Sequence, residues 1–131
     1  MAAKCIEANT GVFALAISVA PVTDWRFYDT MYTERYMKTP ALNPKGYDKS
    51  AVVKMDGFKR SKFLLIHGTG DDNVHFQNTA DLVHRLTANG VEDYQVQFYT
   101  DSDHSMNSSN ARTEIYLLIQ RYLCTAFKMS C

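Results

Sequence analysis

The chain has 131 residues, enough for one compact domain with a core and short of the usual length of two. Hydrophobic residues make up 46% and charged residues 21%, the composition of a globular domain and not of a disordered or fibrous chain. The 14 basic residues balance 14 acidic ones with no long block of either sign, so no nucleic-acid partner is expected, and no apolar stretch approaches the roughly 20 residues of a membrane span.

The opening "MAAKCIEANT" lacks the basic start and apolar centre of a signal peptide. Its helix-forming residues run into Asn9, Thr10 and Gly11, which predicts the back half of a helix. Residues 12 to 20 form a nearly unbroken apolar run closed by Pro21, a buried strand by length and flanks. In "TDWRFYDTMYTERYM", Thr23 or Asp24 can cap a short amphipathic helix with Tyr28, Tyr32 and Tyr36 on one face. Pro40, Pro44, Gly46 and Gly57 break residues 38 to 62, leaving room for one short helix near residues 50 to 55. A second apolar strand, "KFLLIHG", precedes a polar loop. The helix in "FQNTADLVHRLTANG" then places Phe76, Ala80, Val83 and Leu86 on one stripe. "YQVQFYT" alternates as an outer strand does. The last helix buries Ala111, Ile115, Leu118, Ile119, Tyr122 and Ala126.

Strands joined by helices imply an α/β fold: parallel neighbours at residues 12 to 20, 63 to 67 and 94 to 100, with helices on both faces and ligands beyond the carboxyl ends of the strands. Asp71 and Asp72 follow one strand and His104 the next, so an acid and an imidazole leave neighbouring strand tips. An acid that holds one ring nitrogen leaves the other free to deprotonate a nucleophile. The order acid then histidine, after late strands, is that of an α/β-hydrolase, whose serine sits on an earlier strand-to-helix elbow. The rival readings are structural. Asp71 can merely cap the helix beginning near Val74. Asp72 and Asp103 are read as loop or capping residues, His67, His75 and His84 as structural, and Tyr36 as packing. A metal crowd of Asp71, Asp72, His75, Asp101, Asp103 and His104 lacks every regular ligand spacing, so no metal or cofactor is expected. Cys5, Cys124 and Cys131, odd in number and widely spaced, read as buried or free thiols, with one bridge of Cys5 or Cys124 as the rival reading.

Three stretches in order, "VAPVTDWRFYDTMYTERYM", "LLIHGTGDDNVHF" and "YTDSDH", resemble the C-terminal end of the dipeptidyl peptidase IV enzymes of the prolyl oligopeptidase family, fungal members above all. The similarity runs from residue 11 to residue 127. It implies that the chain is the C-terminal portion of an α/β-hydrolase catalytic domain, with Asp71 as triad acid and His104 as triad base. The serine is then expected in a Gly-Trp-Ser-Tyr-Gly-Gly elbow shortly before Met1, outside this chain, as is a propeller domain. The chain alone is therefore expected to be inactive.

The resemblance further implies that Tyr28 and Tyr32, with Val22 and Trp25 beside them, wall the pocket for a penultimate proline or alanine of a peptide substrate. Asn73 resembles the amide that binds the carbonyl of the substrate's first residue. The glutamates that hold the substrate's amino terminus and the tyrosine of the oxyanion hole have no counterpart here. Mammalian relatives carry a cysteine pair near the positions of Leu15 and Ala126, both apolar in this chain. The implied whole is a secreted serine exopeptidase, with homodimerisation a further expectation, and Asn107 opens a glycosylation sequon. The rival function is a non-catalytic, hydrolase-like binding protein whose triad has decayed.

Overall fold

A computed structural model describes residues 1–108 and 110–130. Ten elements follow one another: helix α1 (Ala2–Glu7), strand β1 (Leu15–Val19), a 3-10 turn (Trp25–Phe27), helices α2 (Thr30–Met37) and α3 (Pro44–Ser50), a second 3-10 turn (Phe58–Arg60), strand β2 (Lys62–Gly68), helix α4 (Gln77–Ala88), strand β3 (Tyr94–Tyr99) and helix α5 (Ala111–Phe127). The sheet order is β1-β2-β3 and both pairings are parallel. Leu15 pairs with Lys62 and Val19 with Ile66, while Phe63 pairs with Tyr94 and Gly68 with Tyr99.

The central strand explains its own sequence. Side chains alternate across a strand, and β2 is covered on both faces, so its successive positions Phe63 to Ile66 are all apolar. Phe63 and Leu65 pack with Ile6, Phe58, Leu82 and Leu86 beneath α1 and α4. Leu64 and Ile66 point the other way, onto Ile115 and Tyr122 of α5. The α/β arrangement with helices on both faces is thus as expected from the sequence.

Several local boundaries differ. The first strand begins only at Leu15, because pairing starts where β2 starts, and Val12 and Phe13 are exposed. The aromatic segment is not one helix. Asp24 caps the 3-10 turn through Arg26 N at 2.9 Å, Tyr28 is extended, and Asp29 caps α2 through Tyr32 N at 2.9 Å. Two capping acids five residues apart end one helix and start another. The helix expected near residues 50 to 55 lies instead at Pro44–Ser50, with Asn43 as N-cap and Pro44 in the first turn, where a missing N–H costs nothing. In α4 the buried residues are Asn78, Thr79, Leu82 and Leu86, so the inward face is rotated toward polar side chains. In α5, Ala111, Ile115 and Tyr122 are buried as expected, whereas Leu118, Ile119 and Ala126 are only partly buried. Cys5 is a free thiol as read, whereas Cys124 is disulfide-bonded, the rival reading: an odd count still leaves room for one bridge. Cys131 and Ser109, the last position of the Asn107 sequon, lie outside the described residues. Among the described residues no helix is long and apolar enough to cross a membrane.

Candidate active site

The loops after β2 and β3 are stitched to each other by backbone bonds. Thr69 N donates to Tyr99 O at 3.0 Å and Gly70 N to Ser102 O at 3.1 Å. Gly68 permits this approach, since a Cβ there would sit 2.3 Å from Ser102 O. Asp101 turns the second loop with φ of 57° and is held by Thr69 Oγ1 at 3.0 Å. The result is that His104 Nδ1 lies 2.9 Å from Asp71 Oδ2, across 33 residues of sequence.

Asp71 is buried, and each of its oxygens has a task. Oδ1 accepts from the backbone N–H of Asn73 at 3.0 Å and of Val74 at 2.8 Å, which closes the loop turn, while Oδ2 faces His104. The capping reading is not met in the form expected: α4 begins only at Gln77, its N-cap is Phe76 and no side chain caps it, so Asp71 holds the turn ahead of the helix and not the helix itself. Burial alone would raise its pKa, but the hydrogen bond from His104, those from Val74 and Asn73 and the attraction of His104 together hold it below the ordinary carboxylate range. The His104 side chain is 43% exposed, and Nε2 has no hydrogen-bond partner among the described residues. Asp72 is exposed and makes no bond to His104. An imidazole held at Nδ1 by a buried carboxylate, with Nε2 open, has the geometry of a general base.

The aromatic residues singled out by sequence come together beside this pair. Trp25 meets Tyr28 edge-on at 5.6 Å and stacks on Tyr32 at 6.2 Å, and Tyr28 meets Tyr32 at 5.6 Å. Tyr36 extends the row, 5.2 Å from Tyr32. The Tyr28 hydroxyl donates to Asn73 Oδ1 at 3.0 Å, joining the aromatic wall to the acid loop. Val22 lines, with Ala20, Pro21 and Trp25, a groove along the carboxyl end of β1.

Sequence reasoning missed Asn78. It is fully buried and fastens the wall to α4: Thr23 N and Asp24 N donate to its Oδ1 at 3.0 and 3.3 Å, and its Nδ2 reaches His75 O at 3.1 Å. Thr23 Oγ1 donates to Asn78 O at 2.7 Å. The available signal was a polar residue on the otherwise inward face of a helix, which must find partners if buried. Arg26 pairs with Asp24 at 3.0 Å and with Asp48, bracing the same segment from outside. Among the described residues no group of three His, Cys, Asp or Glu side chains is placed to hold a metal ion.

Comparison with known proteins gives this geometry a lineage. The prolyl oligopeptidase family model matches residues 1–130. A probable dipeptidyl-aminopeptidase B of Talaromyces marneffei is 50% identical over 129 residues, and the dipeptidyl-aminopeptidase B of Aspergillus niger 49% over 129, each covering 97% of this chain. The chain spans 14% of the length of either relative. Among solved structures, the dipeptidyl peptidase 4 of Porphyromonas gingivalis matches with TM-score 0.77 and 37% identity over 92% of this chain and 16% of its own. A putative dipeptidyl aminopeptidase IV of Bacteroides ovatus matches with TM-score 0.82 and 26% identity over 93% of this chain and 17% of its own. A match along nearly the whole chain, on a sheet whose strand tips carry the acid and the histidine, means that the chain belongs to the prolyl oligopeptidase family.

Proposed function

We propose that these residues form part of a serine exopeptidase that removes Xaa-Pro or Xaa-Ala dipeptides from free peptide N-termini through an acyl-enzyme, with Asp71 as triad acid and His104 as triad base. The observation that carries the reading is the 2.9 Å contact between a buried, backbone-clamped carboxylate and an imidazole open at its other nitrogen. Family membership and the names of the relatives support it.

In this mechanism Nε2 of His104 takes the proton of a serine hydroxyl as that oxygen attacks the scissile carbonyl, then returns it to the leaving amine. Asp71 keeps Nδ1 protonated and stabilises the imidazolium. The serine comes from the elbow expected ahead of Met1. Trp25, Tyr28 and Tyr32 present ring faces and edges to a flat pyrrolidine or a small methyl, with Val22 beside them. Tyr28 occupies Oδ1 of Asn73, which leaves the Nδ2 donors for the carbonyl of the substrate's first residue and fixes the scissile bond in register.

The test is made in the complete enzyme. Asp71→Asn is expected to leave the fold intact and lower turnover of a Gly-Pro chromogenic amide by about 10⁴-fold, as when the histidine tautomer is lost. Asp72→Asn is expected to change it little. Equal effects of the two substitutions, or abolition of activity by chelators, would overturn the assignment. The same reading takes the enzyme to be a secreted, homodimeric glycoprotein, with the Asn107 sequon as one acceptor to test. The Cys124 disulfide and the sequon support an oxidising secretory route. A glycosidase-sensitive mass is the expected result, and Asn107→Gln tests whether this sequon contributes to it.

A further inference from the structure

The triad carboxylate has a second histidine against it. His67, the penultimate residue of β2, is fully buried, and its Nε2 lies 3.2 Å from Asp71 Oδ2, on the same oxygen that faces His104. The same Nε2 is 2.8 Å from Val74 O, and Nδ1 is 2.6 Å from Thr79 Oγ1. A carbonyl oxygen can only accept, so Nε2 carries the proton and donates to Val74 O, and the Thr79 hydroxyl donates to Nδ1. The Phe76 ring closes the pocket edge-on at 5.6 Å.

These contacts place the Val74 peptides under double control. The N–H of Val74 is held by Asp71 Oδ1 at 2.8 Å and its carbonyl by His67. The acid turn is thereby tied to a strand paired on both sides, His67 itself lying opposite Phe98 of β3. With one carboxylate oxygen fixed by the turn, the direction of the other is fixed as well, and the imidazole N–H beside it adds a favourable dipole on the side away from His104.

We propose that His67 is a positioning residue of the hydrolytic site, locked by Thr79 as the Nε2–H tautomer, which anchors the acid turn and aims Asp71 Oδ2 at His104. The inference rests on the triad reading above. Its role is orientation, so its loss acts on the chemical step and leaves the aromatic wall, held separately by Asn78, in place.

The experiment uses the complete enzyme and Gly-Pro p-nitroanilide. His67→Leu is expected to lower kcat by about 10²-fold, the size of effect that a small misplacement of a reacting group produces, with KM nearly unchanged. His67→Gln, whose amide can donate to Val74 O, is expected to recover most of that loss. The low-field proton resonance of the His104–Asp71 bond should vanish or shift in the leucine variant and persist in the glutamine one. Equal kcat in the two variants, or a rise in KM as large as the fall in kcat, overturns the proposal. Should the leucine variant fail to fold, Thr79→Val decides: a several-fold fall in kcat at constant KM supports the tautomer lock, and an unchanged kcat overturns it. If Asp71→Asn itself leaves kcat intact, the triad reading fails. If Asp71→Asn cripples the enzyme while a folded His67→Leu does not, only the role of His67 fails.

Discussion

At the carboxyl end of the strands, Thr23, Asp24, His67, Asp71, Asn78, Thr79 and Ser102 are all buried, and each has hydrogen-bond partners. At the amino end Glu7 is buried and bonded to the backbone N–H groups of Val53 and Lys54, while other polar groups stay outside. Lys62 and Asp93 pair at 2.8 Å with both side chains exposed, and the deeply placed Tyr122 hydroxyl has no partner among the described residues. Burying a polar group costs free energy unless it is bonded. One end of the sheet accepts that cost at many positions in order to fix chemical groups, and the other accepts it at few and mainly supplies packing. The same sheet therefore separates function from stability along its strands.

Two glycines offer the sharpest way to break this contrast. A Cβ on Gly68 would meet Ser102 O at 2.3 Å, and one on Gly57 would meet Ile6 O at 1.8 Å. In the complete enzyme, Gly68→Ala is expected to push the His104 loop away and lower kcat by about 10²-fold. Gly57→Ala, at the amino end, is expected to cost about 1–3 kcal/mol of stability through overpacking while the folded fraction keeps its kcat. Parallel measurements of kcat and urea midpoint check both, and interchange of the two outcomes would erase the distinction.

Asn78→Ala comes next in size. It leaves several buried donors and acceptors unbonded, at about 1–3 kcal/mol for each group left unsatisfied. It also frees the segment carrying Trp25 and Tyr28. The expected signature is a rise in KM for proline substrates that exceeds the fall in kcat, opposite to that of His67→Leu.

Acid sensitivity tests the polar bonds themselves. For Glu7, burial would raise the pKa, but Lys4 and the backbone N–H groups of Lys54 and Val53 hold it below the ordinary value, and Asp71 is lowered by its own partners. A carboxyl whose folded pKa lies below the unfolded one contributes stability above the unfolded value, and that contribution is lost as pH falls through the folded value. Thermal stability should accordingly decline below the ordinary carboxyl range, and Glu7→Gln should flatten part of the decline. A variant with an unchanged acid limb would show that these bonds do not discharge the carboxylate's burial cost.

The smallest effect is expected at Tyr122. Burial raises its pKa to about 12, with the nearby Asp93 adding to the shift. Tyr122→Phe removes an unpartnered hydroxyl, so stability should change by less than about 0.5 kcal/mol and kcat not at all. A large loss would reveal a bond that the hydroxyl makes.

Much of this was legible from residue order. "FLLIHG" specifies a strand covered on both faces, because nothing else requires four consecutive large apolar side chains between a lysine and a glycine. The acid-then-histidine order of the two loops, read with the parallel pattern, brings residues 33 apart in sequence to one rim. Helix starts were less legible. Asn43-Pro44 and Asp29 carry good capping chemistry, yet by pattern Pro44 reads as a breaker and Thr23 or Asp24 as the cap, since sequence alone does not say which of several capping residues the chain uses.

Tertiary contact decided the rest. Asp71 and Asp72 are chemically identical neighbours, and only the turn that offers two backbone N–H groups to Asp71 selects it for burial beside His104. His67 and Asn78 carry no motif for their roles, because a buried polar side chain is defined by partners from other segments: Val74 and Thr79 for one, Thr23 and Asp24 for the other. Periodicity and composition fix which face an element buries, since those are local properties of spacing. Which two polar atoms meet across that face depends on the register of strands and the closure of loops, and these exist only once the chain is packed.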